Sequence, residues 1–444
     1  MAVITHALEI LLQLLLSPFN HGVWLFIFKF IPYVLFFELP VYVLIFLGMM
    51  RYVTRQSLEP PGAPPYHPSV TCIITAYSEG ESVERTIRSL AEQIYPGLIE
   101  ILCLVDGAAR NRDTYEAARR MEDYVRRLPG RSLKVVPKWQ RGGRVSSLNA
   151  GLSLSTGTVV INVDGDTSVD NTMVRQAARH FRDPNVVGVS GCLRVRNAAA
   201  SLWSRFQAIE YALSIHATRV GLSEFNIVNN ISGAFGIFRR SFIQVLGGWD
   251  SGTAEDLDMT LRIKNYFGRH PHLRIRFEPL AIGHTDVPDT VRSFLRQRLR
   301  WDGDLFYIYV RKHPFSFRPA IFGWRNLIML LWTGFFFQLV MPFVIMIYTV
   351  WVFCFYPIAY MLAVTALVYL FYLLITLLFF IVFIAFFSER PRQDIRLAPF
   401  LPLMPFFTFF NRIWAGLATL WEIIMKSHLD SAMAPWYVLK KTKF

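Results

Sequence analysis

Apolar and polar positions fall into blocks along the chain. Val23 to Met50 is almost continuously apolar. At 1.5 Å per residue it is long enough to cross the ~30 Å hydrocarbon layer, with Pro32 and Pro40 expected to bend it. Met1 to Leu16 is apolar but short and is followed by a turn-like Ser17-Pro18-Phe19-Asn20-His21-Gly22 stretch. It lacks a basic leader and a small-residue cleavage site, so it reads as an interfacial helix rather than a secretory signal. Asn326 to Phe387 contains no Asp, Glu, Lys or Arg, and Tyr356-Pro357 divides it into 326–353 and 358–387, which predicts a membrane hairpin. Ala398 to Met425 is also apolar but carries Pro399, Pro402, Pro405 and Arg412 and is followed by Lys426, Lys440, Lys441 and Lys443. A crossing there would export those lysines, so a helix lying in the interface is expected.

Between the apolar blocks the pattern changes. Short apolar runs at 70–76, 99–105, 133–136, 159–163 and 186–190 alternate with polar, helix-length stretches at 82–93, 112–127 and 145–155. Such alternation predicts βαβ units: an α/β domain with a Rossmann-like, mostly parallel sheet covered on both faces. The proline-rich Glu59-Pro60-Pro61-Gly62-Ala63-Pro64-Pro65 reads as a semi-rigid spacer ahead of it. The expected organisation is an interfacial and a membrane helix (1–55), a linker (56–68), the α/β domain (69–318), the hairpin (319–387), and an interfacial helix with its tail (388–444).

Composition sharpens this picture. A hydrophobic share of 53% with a charged share of only 18% argues against a purely soluble protein. Lys+Arg exceed Asp+Glu by 46 − 32 = 14, which fits a nucleic acid, an anionic lipid or a phosphorylated small molecule. The basic residues gather beside the apolar blocks, at Arg51 and Arg55, Arg318 and Arg325, and Arg390, Arg392 and Arg396. By the positive-inside rule this places the α/β domain in the cytoplasm, on an integral protein of a plasma or inner membrane in contact with lipid, and it speaks against nucleic acid. Cys72, Cys103, Cys192 and Cys354 are scattered, without zinc or disulfide spacing.

In open α/β sheets, ligands bind beyond the carboxyl ends of the strands. Three of these ends carry acids: Glu79 after Tyr77, Asp106, and the pair Asp164 and Asp166. A lone Asp after a strand is commonly a turn or cap residue. Two carboxylates flanking a glycine repel each other unless a cation lies between them, and such oxygen ligands suit Mg²⁺ or Mn²⁺ holding a diphosphate. Glu255-Asp256-Leu257-Asp258 opens an amphipathic run, where acids also favour a helix start. Asp289 to Arg311 reads as a basic amphipathic helix that sets Gln297, Arg300 and Trp301 on one face. Arg grips phosphate, Trp offers a flat face to a sugar or base, and Gln reads a hydroxyl. Arg292, Arg296 and Arg298 alternatively suit lipid headgroups.

The ordered set Asp106, Asp164-x-Asp166, Glu255-Asp256 and Gln297-x-x-Arg300-Trp301 resembles the D, DxD, TED and QxxRW series of the membrane-integrated, processive family 2 glycosyltransferases. These include poly-N-acetylglucosamine, hyaluronan, chitin and cellulose synthases. The resemblance runs from about Val70 to Trp301. It implies an A-type glycosyltransferase domain set between membrane and interfacial helices. Tyr77, Glu79 and Asp106 would hold the uridine of a UDP-sugar donor, with Asp164 and Asp166 on a Mg²⁺ or Mn²⁺ and Arg300 facing the diphosphate. Asp256 would be the general base. Trp301, Gln297, Glu255 and the Ser232-Gly233-Ala234 segment would face a growing polysaccharide acceptor. The activity implied is inverting, processive synthesis of a β-linked polysaccharide, best matched to UDP-N-acetylglucosamine, with export across the membrane and accessory or export subunits as possible partners. Alternatives within the same resemblance are a single transfer to a lipid acceptor, or a catalytically inactive membrane subunit.

Three positions depart from the pattern: Ser78 stands in place of Asn, Ala254 in place of Thr, and Arg144 in place of a frequent Lys. No close copy of a cellulose-synthase gating loop follows Trp301, where the chain reads Asp302-Gly303-Asp304. His284 is expected in a surface loop, with a metal-ligand role as the alternative. Trp332, Phe335, Phe336 and Phe337 are expected either to stack sugars in a channel or to face lipid.

Overall fold

The structure is a computed structural model that describes residues 6, 22–58 and 66–429. The expected Met1–Leu16 interfacial helix, the proline-rich spacer at 59–65 and the lysines at 440, 441 and 443 lie outside the described residues.

Eight strands form one sheet: β1 (Val70–Ala76), β2 (Ile99–Asp106), β3 (Arg131–Lys138), β4 (Val159–Asp164), β5 (Ser168–Val169), β6 (Val186–Val195), β7 (Phe235–Arg239) and β8 (Arg274–Thr285). Their order is β3-β2-β1-β4-β7-β6-β8-β5. The β3-β2-β1-β4 half is parallel, as the alternation predicts, with Val70 opposite both Ile99 and Val159. The runs of β-branched residues in β1 and β4 are buried on both faces because helices cover both sides of the sheet. The other half corrects the five-strand expectation. β7 runs antiparallel between β4 and β6, β8 lies parallel to β6, and β5 adds a two-residue edge.

Among the described residues, three helices are long and apolar enough to cross a membrane: Phe26–Leu58, Trp324–Phe355 and Ile358–Phe386. The first contains a π turn at Val34–Glu38, between the two prolines expected to bend it. The helix Met404–Met425 lies along the helix Val291–Phe306 and the hairpin.

Ion pairs are among the contacts that dock the membrane helices on the sheet domain. Arg55 and Arg51 reach Glu224 at 2.7 and 3.7 Å, so these basic flanks pair with the α/β domain. Arg194 on β6 pairs with Glu389 at 3.0 Å and with Asp394, just beyond the hairpin.

Candidate active site

The carboxyl ends of β1, β2 and β4 converge with the loop before β7, the helix Glu255–Lys264 and the helix Val291–Phe306. Asp106 ends β2 and is buried. Its Oδ1 accepts from Lys138 Nζ at 2.8 Å and Gly142 N at 2.9 Å, and its Oδ2 from Gly143 N at 2.9 Å. Asp106 therefore pins the loop that starts the helix Gly143–Leu154. On that loop the Arg141 guanidinium lies 3.3 Å from the centre of the Tyr77 ring, a close cation–π stack.

Arg144, on the first turn of the Gly143–Leu154 helix, is the hub of the site. Its side chain is only 8% exposed and contacts Asp164, Glu255 Oε1 at 2.6 Å and the Gly233 carbonyl. One cation thus holds the DxD segment, the acidic pair and the glycine loop together. Burial pushes Glu255 above the usual carboxylate range, with Arg144 opposing that shift. Burial also raises Asp166, and burial with the Asp166 charge beside it pushes Glu79 up to about 7. The acids crowd because Gly165 leaves no room for a Cβ: one built there would sit 2.8 Å from Glu79 Cγ.

Asp256 is oriented by three donors. Asn230 Nδ2 and Gly233 N reach its Oδ2 at 3.0 and 3.1 Å, and Leu257 N reaches Oδ1 at 2.8 Å. Ala254, two residues before it, has φ +43°, a left-handed conformation that strains a non-glycine residue. Gly233 packs so closely that an added Cβ would lie 3.0 Å from Glu255 Oε1 and 3.2 Å from Asp256 Cβ.

A cavity of 2360 Å³ opens from this centre. Asp164, Asp166, Glu255 and Asp256 line it, as do Ser232, Gly233, Gln297, Arg300 and Trp301. Tyr77, Glu79 and Asp106 stand outside this wall, at the ends of β1 and β2. Trp301 is 37% exposed, and Gln297 Oε1 is buried without a hydrogen-bond partner. The cavity continues between the membrane helices to Trp351, Tyr356 and Tyr360 at the hairpin tip.

Two expectations need correction. His284 is on β8 rather than in a loop, and its Nε2 lies 2.8 Å from Asp170 Oδ1 and 3.1 Å from Arg390. Arg298 does not reach lipid headgroups: it is paired with Glu210 and stacks over Phe294 and Trp301, at 5.2 and 5.0 Å. Phe336 and Phe337 line the cavity, while Trp332 Nε1 donates to the Phe37 carbonyl at 3.0 Å.

Four groups on the wall or beside the site are given no role by the sequence: Asn230, Arg141, Asp304 and Glu38. Burial pushes Asp304 up to about 7. Glu38 carries a signal that was legible, an acid inside a membrane crossing. The others become meaningful only through their distant neighbours.

The family model described as Glycosyl transferase family group 2 matches residues 159–387, and that described as Glycosyl transferase family 2 matches residues 71–246. The chain is 31% identical over 250 residues to an N-acetylglucosaminyltransferase of Rhizobium meliloti (strain 1021), covering 54% of this chain and 56% of that protein. It is 28% identical over 237 residues to the poly-beta-1,6-N-acetyl-D-glucosamine synthase of Staphylococcus aureus (strain COL), covering 52% and 53%. The chain therefore spans about half the length of the curated relatives it matches. Among solved structures, a mannosyltransferase from Pyrobaculum calidifontis in complex with GDP-Man and Mn²⁺ shares the fold, with a TM-score of 0.53 at 19% identity, covering 86% of this chain and 96% of that one.

Proposed function

Because the chain belongs to Glycosyl transferase family group 2, we propose that it is a UDP-sugar-dependent polysaccharide synthase. In this reading it works at the cytoplasmic face of a membrane, elongates a β-linked polymer by inverting transfer, and feeds the product into its own cavity. The observation that carries this is the single cavity lined both by the site acids and by the hairpin tip. The named relatives support N-acetylglucosamine as the sugar.

In the transfer step an acceptor hydroxyl attacks the anomeric carbon as the bond to the diphosphate oxygen breaks. Its proton passes to Asp256, and UDP leaves with the bonding pair. Asn230 and the Gly233 amide fix the accepting carboxylate, and Trp301 presents an apolar face to the acceptor ring. Arg300 is the cation for the diphosphate.

Among the described residues no group of three or more His, Cys, Asp or Glu is assembled around a single point. The pair Asp164 and Asp166 still fits a Mg²⁺ or Mn²⁺, which commonly takes one or two carboxylates and completes its shell with phosphate oxygens and water. Such an ion, when bound, supplies charge neutralisation to the departing diphosphate.

The test is to give the purified full-length chain a panel of UDP-sugars with Mg²⁺ or Mn²⁺ and to measure UDP release and product size. High-molecular-weight product from UDP-N-acetylglucosamine, lost with EDTA and restored by the cation, is expected. A single sugar on lipid would replace this reading with glycolipid synthesis, and no turnover with any donor would mark an inactive subunit.

A further inference from the structure

The cavity wall also carries a cation that pairs with no acid. Arg219 sits on the short helix Thr218–Glu224, is half-buried, and lines the cavity together with Asp256 and Ser232. Its Nη1 donates to Ser190 Oγ, on β6, at 3.1 Å. Among the described residues that is its one hydrogen bond, and no carboxylate forms an ion pair with it. Its Nε and Nη2 are not sealed in the interior, and on a side chain that lines the cavity their accessible surface opens to it.

Two links place Arg219 beside Asp256. Ser190 Oγ also meets the Ser232 amide, at 3.5 Å, and the next amide, of Gly233, donates to Asp256 Oδ2 at 3.1 Å. The cation and the carboxylate are thus held through adjacent amides of one loop. Burial lowers the pKa of the guanidinium and the Asp256 charge opposes that, so each ion lies in the other's field.

A guanidinium has donors only, and an ionised carboxylate has acceptors only. A group held between them must accept from one and donate to the other. A sugar hydroxyl does both, whereas an acyl chain does neither and an ionised diphosphate only accepts. As the hydroxyl gives up its proton, negative charge grows on its oxygen, and a fixed cation stabilises that charge more than the resting alcohol.

We propose that Arg219 is a catalytic residue of transfer, whose cavity-facing N–H groups donate to the attacking hydroxyl of the acceptor while Asp256 takes that hydroxyl's proton. This deepens the reading of Asp256 as the base and rests on it. The O–H bond breaks toward Asp256, the oxygen bonds to the anomeric carbon, UDP leaves with the pair of the broken bond, and Arg219 keeps all its protons.

The experiment uses the full-length protein in detergent, with UDP-N-acetylglucosamine and Mg²⁺ or Mn²⁺, and a β-linked N-acetylglucosamine hexasaccharide as acceptor. It measures kcat of transfer and UDP affinity in wild type, Arg219→Ala, Arg219→Gln, Asp256→Asn, and Ser190→Ala, which removes the tether and leaves the cation. Arg219→Ala is also assayed with guanidinium chloride at millimolar, non-denaturing concentration. The expected result is a fall in kcat of about ten-fold or more in both Arg219 variants, with UDP affinity within about two-fold of wild type. Guanidinium should restore part of the Arg219→Ala rate, and Ser190→Ala should lose less. If Arg219→Ala does not fold, Arg219→Gln and Ser190→Ala carry the test. Wild-type kcat in the Arg219 variants would overturn the proposal. So would lost UDP affinity with an unchanged rate per bound donor, which would move Arg219 to the diphosphate. Absence of guanidinium rescue, or a Ser190→Ala loss as large as that of Arg219→Ala, would overturn it too and make Arg219 a tether of β6. Full transfer by Asp256→Asn, or none by the wild type, would instead overturn the reading of the site on which the proposal rests.

Discussion

Asp256 is positioned by donors on three segments: Asn230, Gly233 and its own helix start at Leu257. Asp256→Asn keeps the shape and removes the proton acceptor. UDP affinity should stay within about two-fold while transfer falls by about 10²-fold or more, the scale of general-base catalysis. UDP binding and UDP release separate the two effects, and lost UDP affinity with an unchanged rate per bound donor would move Asp256 to the donor site. Asp304 makes a pH prediction. Burial lifts its carboxyl from 3.8 to about 7. Below 3.8 the folded and unfolded states are both protonated. Between 3.8 and 7 the folded state holds the extra proton, so stability falls as pH rises and the full cost, a few kcal/mol, is present above 7. Asp304→Asn should therefore match the wild-type melting temperature near pH 4 and exceed it by several degrees at pH 8. Equal melting curves at both pH values would show that Asp304 titrates normally.

The contact between the membrane helix Leu39–Leu58 and the short helix Thr218–Glu224 depends on two glycines. A Cβ at Gly48 would lie 2.1 Å from the Gly221 carbonyl oxygen, and one at Gly221 would lie 2.4 Å from the Ile45 carbonyl oxygen. Small residues let two backbones approach like this, and the Arg55–Glu224 pair closes the end of the contact. Backbone has nowhere to yield, so Gly221→Ala must push the helices apart at about 1–3 kcal/mol. Its melting temperature should drop by several degrees. Gly252→Ala, which meets nothing within 4 Å, serves as the control and should be close to wild type. A Gly221→Ala protein as stable as the control would mean that the crossing is looser than its geometry.

Across the whole molecule, the catalytic sheet and the membrane hairpin are tied by Arg194, which is 8% exposed and pairs with Glu389 and Asp394. Arg194→Met strips the cation from two half-buried acids, a loss on the order of 3–5 kcal/mol for a buried pair. The tie predicts a clearly lower melting temperature and a hairpin more open to limited proteolysis near Glu389. Unchanged cleavage there would show that the two parts hold together without it.

The hydrophobic pattern and local spacing determined much of this protein: the three apolar helices, the parallel half of the sheet, and the ordered acids and QxxRW face. These features are local, because burial across a membrane or on both faces of a sheet leaves its mark on consecutive residues. A strand after Ser232-Gly233-Ala234 was legible, but the five residues of Phe235–Arg239 say nothing of its direction or neighbours, and its insertion between β4 and β6 follows from packing. Arg144 looked like a substituted lysine until the fold brought Asp164, Gly233 and Glu255 around it. Glu38 stands in an apolar run, and only the fold brings the Tyr33 and Tyr372 hydroxyls onto one of its oxygens. Periodicity decides which residues are buried. Which charges meet once buried depends on contacts between segments far apart in the chain, and only the tertiary structure sets those.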